Sequence, residues 1–206
     1  MKAPTFDELV LLPEPLALQR HFDAGNYRVF RWLLIVVVML SLAGIAAAAD
    51  EGHTVGPILY TANVLFCAVL FVLRDREVFA RNFRQILLVF LFVQILVLKF
   101  TTVYMRGDDA LAPFIMVALL LLAFRLRLAE HFMLYTTFWG AAVFPLAWVG
   151  VARPAAEAPD TGSAIALSIN AVIWLAVSVG LTQLNRRRFL SVWRRERAVH
   201  ENPYPR

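Results

Sequence analysis

The sequence predicts an all-α, polytopic membrane protein with six transmembrane helices and both termini in the cytoplasm. Three observations predict it. Six long apolar stretches run through 206 residues. The chain is 60% hydrophobic, against roughly 45–50% for a soluble domain. The basic residues fall almost wholly at the two ends and between every second pair of apolar stretches. A spanning helix takes about 20 apolar residues, so six take roughly 120. What is left suffices for short loops and two tails, and a soluble catalytic domain of about 100–150 residues does not fit.

Residues 1–29 read as a cytoplasmic amphipathic lead-in. Thr5-Phe6-Asp7-Glu8 has the form of a capping box, which satisfies two orphan amide donors at a helix start. Pro13 and Pro15 interrupt, and Pro15 is suited to open a second helix. In that helix Leu16, Leu18, Phe22 and Tyr27 alternate with charges. A segment of this kind lies on the inner leaflet, or else clamps the cytoplasmic ends of the bundle and transmits its state. The spans themselves occupy residues 30–184. They run from Phe30 to Ala49, Val55 to Leu73, Gln85 to Tyr104, Leu111 to Phe124, His131 to Val151 and Ser163 to Leu184. Helix is the open-chain structure that satisfies every backbone group in lipid, so each apolar run is a helix. The fourth is short and lengthens if Arg125 and Arg127 snorkel. Pro113 and Pro145 are positioned to kink the fourth and fifth. Residues 185–206 continue helically from the sixth span as a basic tail, until Asn202-Pro203-Tyr204-Pro205 stops the helix. Residues Trp32–Leu42 followed by Ala46–Ala49 have the outline of a cleavable signal. The lead-in before them is about 30 residues long and carries Asp7, Glu8, Glu14 and Asp23, whereas a signal's lead-in is short and basic. The first span is therefore read as retained.

Charge sets the orientation. Lys2, Arg20, Arg28 and Arg31 lie at the N-terminal end, and Arg74, Arg76, Arg81 and Arg84 in the second loop. Arg125 and Arg127 lie in the fourth loop, and Arg186, Arg187, Arg188, Arg194, Arg195, Arg197 and Arg206 in the tail. Those 17 face two on the other side, Arg106 and Arg153. The positive-inside rule makes the 17-residue side cytoplasmic, and the anionic inner leaflet suits the net charge of +5. The lipid bilayer is thus the expected partner, and nucleic acid is not, because no soluble reading element accompanies the charge. The one cysteine, Cys67, sits in an apolar stretch and has no partner for an intrachain disulfide.

No catalytic motif is present, so the expectation is a non-enzyme without metal or cofactor. His53 and His131 fall at opposite membrane faces, which excludes a haem-bridging pair. Ser41, Ser168 and Ser178 have no His at their depth for nucleophilic chemistry. The outer carboxylates, Asp50, Glu51, Asp108, Asp109, Glu157 and Asp160, lack metal-ligand spacing. The costly residue is Lys99, which stands a few residues inside the third span. At 100° per residue Lys99 and Arg106 share one face of that helix, with Gln94 and Thr101 roughly opposite. Asn63 and Tyr60 in the second span are at a similar depth, and Tyr104 lies near the outer boundary. Lys99, Asn63, Tyr60, Tyr104 and Arg106 form the candidate ligand-binding set, for an anionic group in an outward-facing cleft. The competing reading has Lys99 snorkelling and Gln94 bonding to a neighbouring helix.

Small residues four apart let helices approach closely. Ala176 with Gly180, Ala164 with Ser168, and Gly44 with Ala48 have that spacing. Asn63 and Asn170 must each find an interhelical partner. The stripe Ala176–Gly180 continues into Phe189 and Val192, and these four are the candidate homodimer interface.

Six short-looped spans, a basic lead-in, and Asn185-Arg-Arg-Arg-Phe-Leu leading into a helix resemble the membrane sensor regions of bacterial signalling proteins. Such regions precede class III adenylyl cyclases, diguanylate cyclases and related output domains. The resemblance implies a dimer, a signal received at the outer or lipid-facing side, and a twist or shift of the sixth helix as output. It implies a cytoplasmic output domain or protein partner at the tail, and it carries no catalytic residue onto this chain. The function expected is therefore a membrane sensor and anchor. The alternative is a transporter or channel subunit that uses the Lys99 face.

Overall fold

A computed structural model describes residues 4–50, 55–105, 121–143 and 161–201 of the chain. Among them there are helices and turns and no strand. The helices are α1 (Phe6–Val10), α2 (Glu14–Asp50), α3 (Val55–Leu73), α4 (Glu77–Arg81), α5 (Phe83–Met105), α6 (Leu128–Val143) and α7 (Thr161–Glu201). The first ten residues of the expected fourth span, together with His53, Arg106, Pro113, Pro145 and the 202–205 stop, lie outside the described residues. So do the side chains of Lys99, Thr101 and Tyr104.

Among the described residues, three helices are long and apolar enough to cross a membrane. They lie within Glu14–Ala49, Gly56–Leu73 and Ser168–Glu201. A shorter apolar run, Phe83–Leu98, lies in α5. Helices α2 and α7 hold 37 and 41 residues. At 1.5 Å per residue each is well over 50 Å long, far more than the roughly 30 Å of a bilayer core. The lead-in from Glu14 and the expected first span are thus one rod, as are the expected sixth span and the basic tail. There is no backbone break at residues 29–30 or 184–185.

The capping box at Thr5 forms. Its hydroxyl accepts from the Glu8 N–H at 3.4 Å, and the Glu8 carboxylate accepts from the Thr5 N–H at 3.0 Å. Helix α2 starts at Glu14, with the Pro13 carbonyl taking the N–H groups of Leu16 and Ala17. Pro15 falls within this first turn, where its missing N–H costs nothing.

The core is built on aromatic rings at one end of the bundle, called the base below. Phe30 of α2 is fully buried and meets Phe79 of α4, Phe83 of α5 and Phe90 of α5, with ring centres 6.0, 5.7 and 5.1 Å away. The edge-to-face geometries of Phe30 with Phe83 and Phe90 are favourable for quadrupolar rings. The short α4 therefore serves to plug Phe79 into the base between α2 and α5. The core continues upward through Leu34, Leu87, Leu91 and Ile95, and toward α6 through Leu134 and Phe138. A second, smaller core forms where the chain ends meet. Leu9 and Val10 of α1, Ala17 of α2, and Phe189 and Trp193 of α7 pack together there.

Both ends of the described chain therefore sit at the base. The chain leaves the base along α2, and at Arg74 it is back, since the Tyr27 hydroxyl donates to the Arg74 carbonyl at 3.4 Å. It leaves again along α5 and is back at Arg125, which is bonded to Asn26. Helix α6 leads away once more and α7 returns.

Candidate functional site

The base gathers most of the charged side chains that have partners. Its centre is Arg84, in the first turn of α5. The guanidinium meets Glu130 of α6 in a two-pronged pair, Nε to Oε1 at 2.5 Å and Nη2 to Oε2 at 2.7 Å. Its third nitrogen lies 3.7 Å from Asp23 Oδ1 of α2. Bidentate arginine–carboxylate contacts are both strong and directional, so this trio sets the spacing of α2, α5 and α6. Glu130 has a second task. Its Oε2 accepts from the backbone N–H of Arg127 at 2.7 Å. Arg127 is the N-cap of α6 and Glu130 is three residues on, so this is the return half of a capping box. Burial pulls the Glu130 carboxyl up, but Arg84 and the Arg127 N–H outweigh it and hold the group below the usual carboxylate range. Asp23 goes the other way: burial raises it by more than Arg84 lowers it.

The segment 124–127 is docked on α2. The Asn26 side-chain amide pairs with the Arg125 peptide, donating to the carbonyl at 3.0 Å and accepting from the N–H at 2.8 Å. Asn26 is buried, and a side-chain amide can mimic the two bonds of a neighbouring strand. The Arg125 guanidinium then reaches His21 Nε2 at 3.2 Å. Arg127 donates to Gln19 Oε1 at 3.1 Å. The Arg125 head lies against Gly25, where a Cβ would stand 3.4 Å from Nη1. His21, Asp23 and Asn26, with the Phe22 ring 5.9 Å from the Arg125 head, thus hold the base of the bundle from a single stretch of α2.

Helix α7 is gripped at the same end. The Trp193 indole N–H donates to the Leu9 carbonyl at 2.9 Å, both inside the small core. The Phe189 ring is stacked on His21, 4.4 Å between centres, and meets Phe6 edge-on at 6.3 Å. Arg194 pairs with Glu14 at 3.1 Å. Of the two expectations for the lead-in, packing against the bundle is the one these contacts describe: α1 folds over α7. Burial, with the Arg125 cation beside it, pushes the His21 imidazole below its ordinary value.

Two polar seams link helices of the bundle. In the first, Asn63 of α3 and Gln94 of α5 exchange amide hydrogen bonds at 3.2 and 2.9 Å, and Asn63 also donates to Ser41 of α2 at 3.0 Å. In the second, α6 presents His131, Tyr135 and Trp139, one turn apart, to α7. They meet Thr182, Ser178 and Ser168 at 3.1, 2.8 and 2.8 Å. His131 is only one turn from the Tyr135–Ser178 contact. Its partner is a threonine, so no Ser–His pair forms.

The candidate ligand set is only partly in view. The Asn63 amide is taken by Ser41 and Gln94, as the reading of an interhelical bond for both amides expects. The Tyr60 ring lies over Gly44 of α2, where a Cβ would stand 2.6 Å from it. The side chains of Lys99 and Tyr104, and all of Arg106, lie outside the described residues, so the set is not seen assembled. In the dimer set, Ala176, Gly180 and Val192 are exposed, and a Cβ on Gly180 would meet nothing within 4 Å. Phe189 is buried within the chain by His21 and Phe6.

Asn26, Asp23, Arg84 and Glu130 are not among the site residues that the sequence predicts. A weak signal was there: an uncharged Asn just before an apolar span, and Glu130 three residues after a loop arginine. Among the described residues, no group of three His, Cys, Asp or Glu side chains stands close enough to hold a metal ion. Compared with family models, curated proteins and solved structures, the chain matches none.

Proposed function

We propose that the chain is a six-span, dimeric sensor and anchor of a bacterial inner membrane, with both ends cytoplasmic, and that it is not itself an enzyme. Its output is the position of α7, read by a cytoplasmic domain or partner at the tail. The observation that carries this reading is the grip on α7 at the base. One uninterrupted helix runs from the bundle into the basic tail, and α1 and His21 hold it by Trp193 and Phe189. A rigid helix held at its exit by a small core is suited to pass a shift in the bundle to whatever follows.

The surface supports the membrane placement. The exposed side of α2 changes from Arg28 and Arg31 to Trp32, Ile35 and Met39. On α7 it changes from Leu181 and Leu184 to Arg187 and Arg188. Aliphatic side chains bounded by Trp and then Arg are what an inner-leaflet boundary selects. The far end of α5 and the base position of Arg125 lie at opposite ends of the bundle, as a fourth crossing between them requires. The dimer in this reading pairs the open Ala176–Gly180 face of α7, where close backbone approach is possible.

Two experiments test the proposal. Reporters fused after Glu51, Arg76, Asp108, Ala129 and Asp160 should alternate sides, and an extracytoplasmic C-terminus would refute the topology. A dimerisation-dependent reporter fused after Arg206 should change its output in Phe189→Ala while insertion is unchanged. Equal output in both proteins would reduce the grip to a structural contact and end the sensor reading.

A further inference from the structure

We propose that the outward face of α2 holds an anionic phospholipid of the inner leaflet, with its phosphate on Arg28 and Arg31 and an acyl chain along Ile35, Met39 and Leu42. The inference rests on the membrane placement proposed above and is independent of what the chain signals.

Helical spacing builds the face. At 100° per residue, Arg28, Ile35 and Met39 fall within about 20° of one line along α2. Arg31 and Leu42 lie to one side of that line and Trp32 to the other. Trp32, Ile35, Met39 and Leu42 are 69, 46, 63 and 49% exposed. Arg28 and Arg31 are exposed at the base end of the same face. From Trp32 to Leu42 the helix rises about 15 Å, half of the roughly 30 Å core of a bilayer. The acyl chain of one leaflet therefore has a matching length of apolar helix to lie on.

Charge selects the head group. Arg84 is matched by Glu130 and Asp23, Arg194 by Glu14, and Arg197 by Glu201. Arg74, just beyond α3, is held by Asp75 at 3.3 Å and lies over the Phe71 ring. Arg28 and Arg31 have no carboxylate partner among the described residues. The Trp139 and Trp193 indoles donate to Ser168 and Leu9, whereas Trp32 has no acceptor among the described residues. Guanidinium groups grip phosphate oxygens in pairs. An indole, with an apolar body and one N–H, is suited to the head-group level. A zwitterionic head group brings its own cation and leaves the two arginines unneutralised, and a head group of net negative charge does not. A free phosphate offers the same oxygens but nothing to cover Ile35, Met39 and Leu42.

The test reads Trp32 in the full chain, reconstituted in vesicles of equal parts phosphatidylglycerol and phosphatidylcholine. One preparation carries bromine on the acyl chains of the phosphatidylglycerol, the other on those of the phosphatidylcholine. Bromine quenches indole fluorescence at contact, and the Trp32→Phe protein supplies the signal of the other tryptophans for subtraction. An arginine near the surface favours anionic lipid by about fivefold. The lipid ratio read at Trp32 should therefore exceed that of the vesicle by at least about fivefold. Arg28→Gln with Arg31→Gln should return it to the vesicle ratio. Arg20→Gln with Arg195→Gln removes the same charge away from this face and should leave the preference intact. Equal quenching by the two lipids in the unaltered chain would overturn the site, as would a preference that survives Arg28→Gln with Arg31→Gln. Loss of the preference in the Arg20→Gln, Arg195→Gln protein would overturn it in favour of general surface charge. Reversal by inorganic phosphate would assign the arginines to free phosphate instead. Quenching of other tryptophans but not of Trp32 would mean that protein covers this face, and the lipid site alone would fall. Quenching of no tryptophan by either lipid would take the membrane placement down with it.

Discussion

The Tyr60 ring is packed tightly on Gly44, and replacing that glycine is a direct test of the packing. The Tyr60 ring of α3 covers Gly44 of α2. A Cβ added there would lie 2.6 Å from Cε2 and Cζ and 2.9 Å from Cδ2. Carbon atoms in contact sit at about 3.5–4.0 Å, so the ring or the whole helix must move by about 1 Å. Overpacking of this kind costs about 1–3 kcal/mol. Alanine is also a better helix former than glycine by about 1 kcal/mol, which hides part of that cost. Gly180 supplies the control, because a Cβ there meets nothing within 4 Å. Gly180→Ala should gain the propensity term alone. The stability gap between the two alanine variants then isolates the Tyr60 clash, about 1–3 kcal/mol, or roughly 5- to 150-fold in the unfolding equilibrium. Reversible unfolding in mixed micelles with rising dodecyl sulfate measures it. In a Tyr60→Ala background the gap should close, since the ring is gone. Equal stability of Gly44→Ala and Gly180→Ala, or a gap that survives without Tyr60, would refute the reasoning.

Three further outcomes follow from the polar contacts and the open face of α7. Asn63→Leu or Gln94→Leu alone strands a buried amide and should cost on the order of 1 kcal/mol, while the double variant should be more stable than either single one; strictly additive losses in the same unfolding assay would show that the pair is not coupled. Glu130 is held below the ordinary carboxylate value, so its contribution is present above pH about 4.5 and is lost as pH falls through the lower, folded-state value. Glu130→Gln should flatten that acid limb in a pH series of melting curves, and an unaltered limb would remove Arg84–Glu130 as its origin. Gly180→Leu should reduce disulfide cross-linking between two copies carrying Val192→Cys, and unchanged cross-linking would leave that face of α7 to lipid.

The helical class, the boundaries of α3, the capping box at Thr5 and the close approach at Gly44 were legible in the sequence because each depends on neighbours along the chain. An apolar run in lipid has one way to satisfy its backbone, and a small residue four from another marks a place where helices can touch. The need of Asn63 and Gln94 for interhelical partners was legible for the same reason, since a polar amide among apolar residues states its own cost. That they would choose each other, with Ser41 as third member, was not. That choice depends on the rotation of three helices, which spacing along any one of them leaves open.

The base was the least legible part. Asp23, Arg84 and Glu130 are separated by 46 residues or more in sequence, and each looks like an ordinary solvated charge beside an apolar run. Asn26 gives no hint that its amide will take the Arg125 peptide, 99 residues away. The sequence alone determined that this is a helical protein with rods apolar enough to cross a membrane and an excess of positive charge, because hydrophobicity and net charge are sums over residues. Only the tertiary structure decided that α1 folds back onto α7, that Phe189 is spent on His21, and that one arginine holds three helices, because hydrogen bonds and ring contacts are decided by distances that no sum over residues contains.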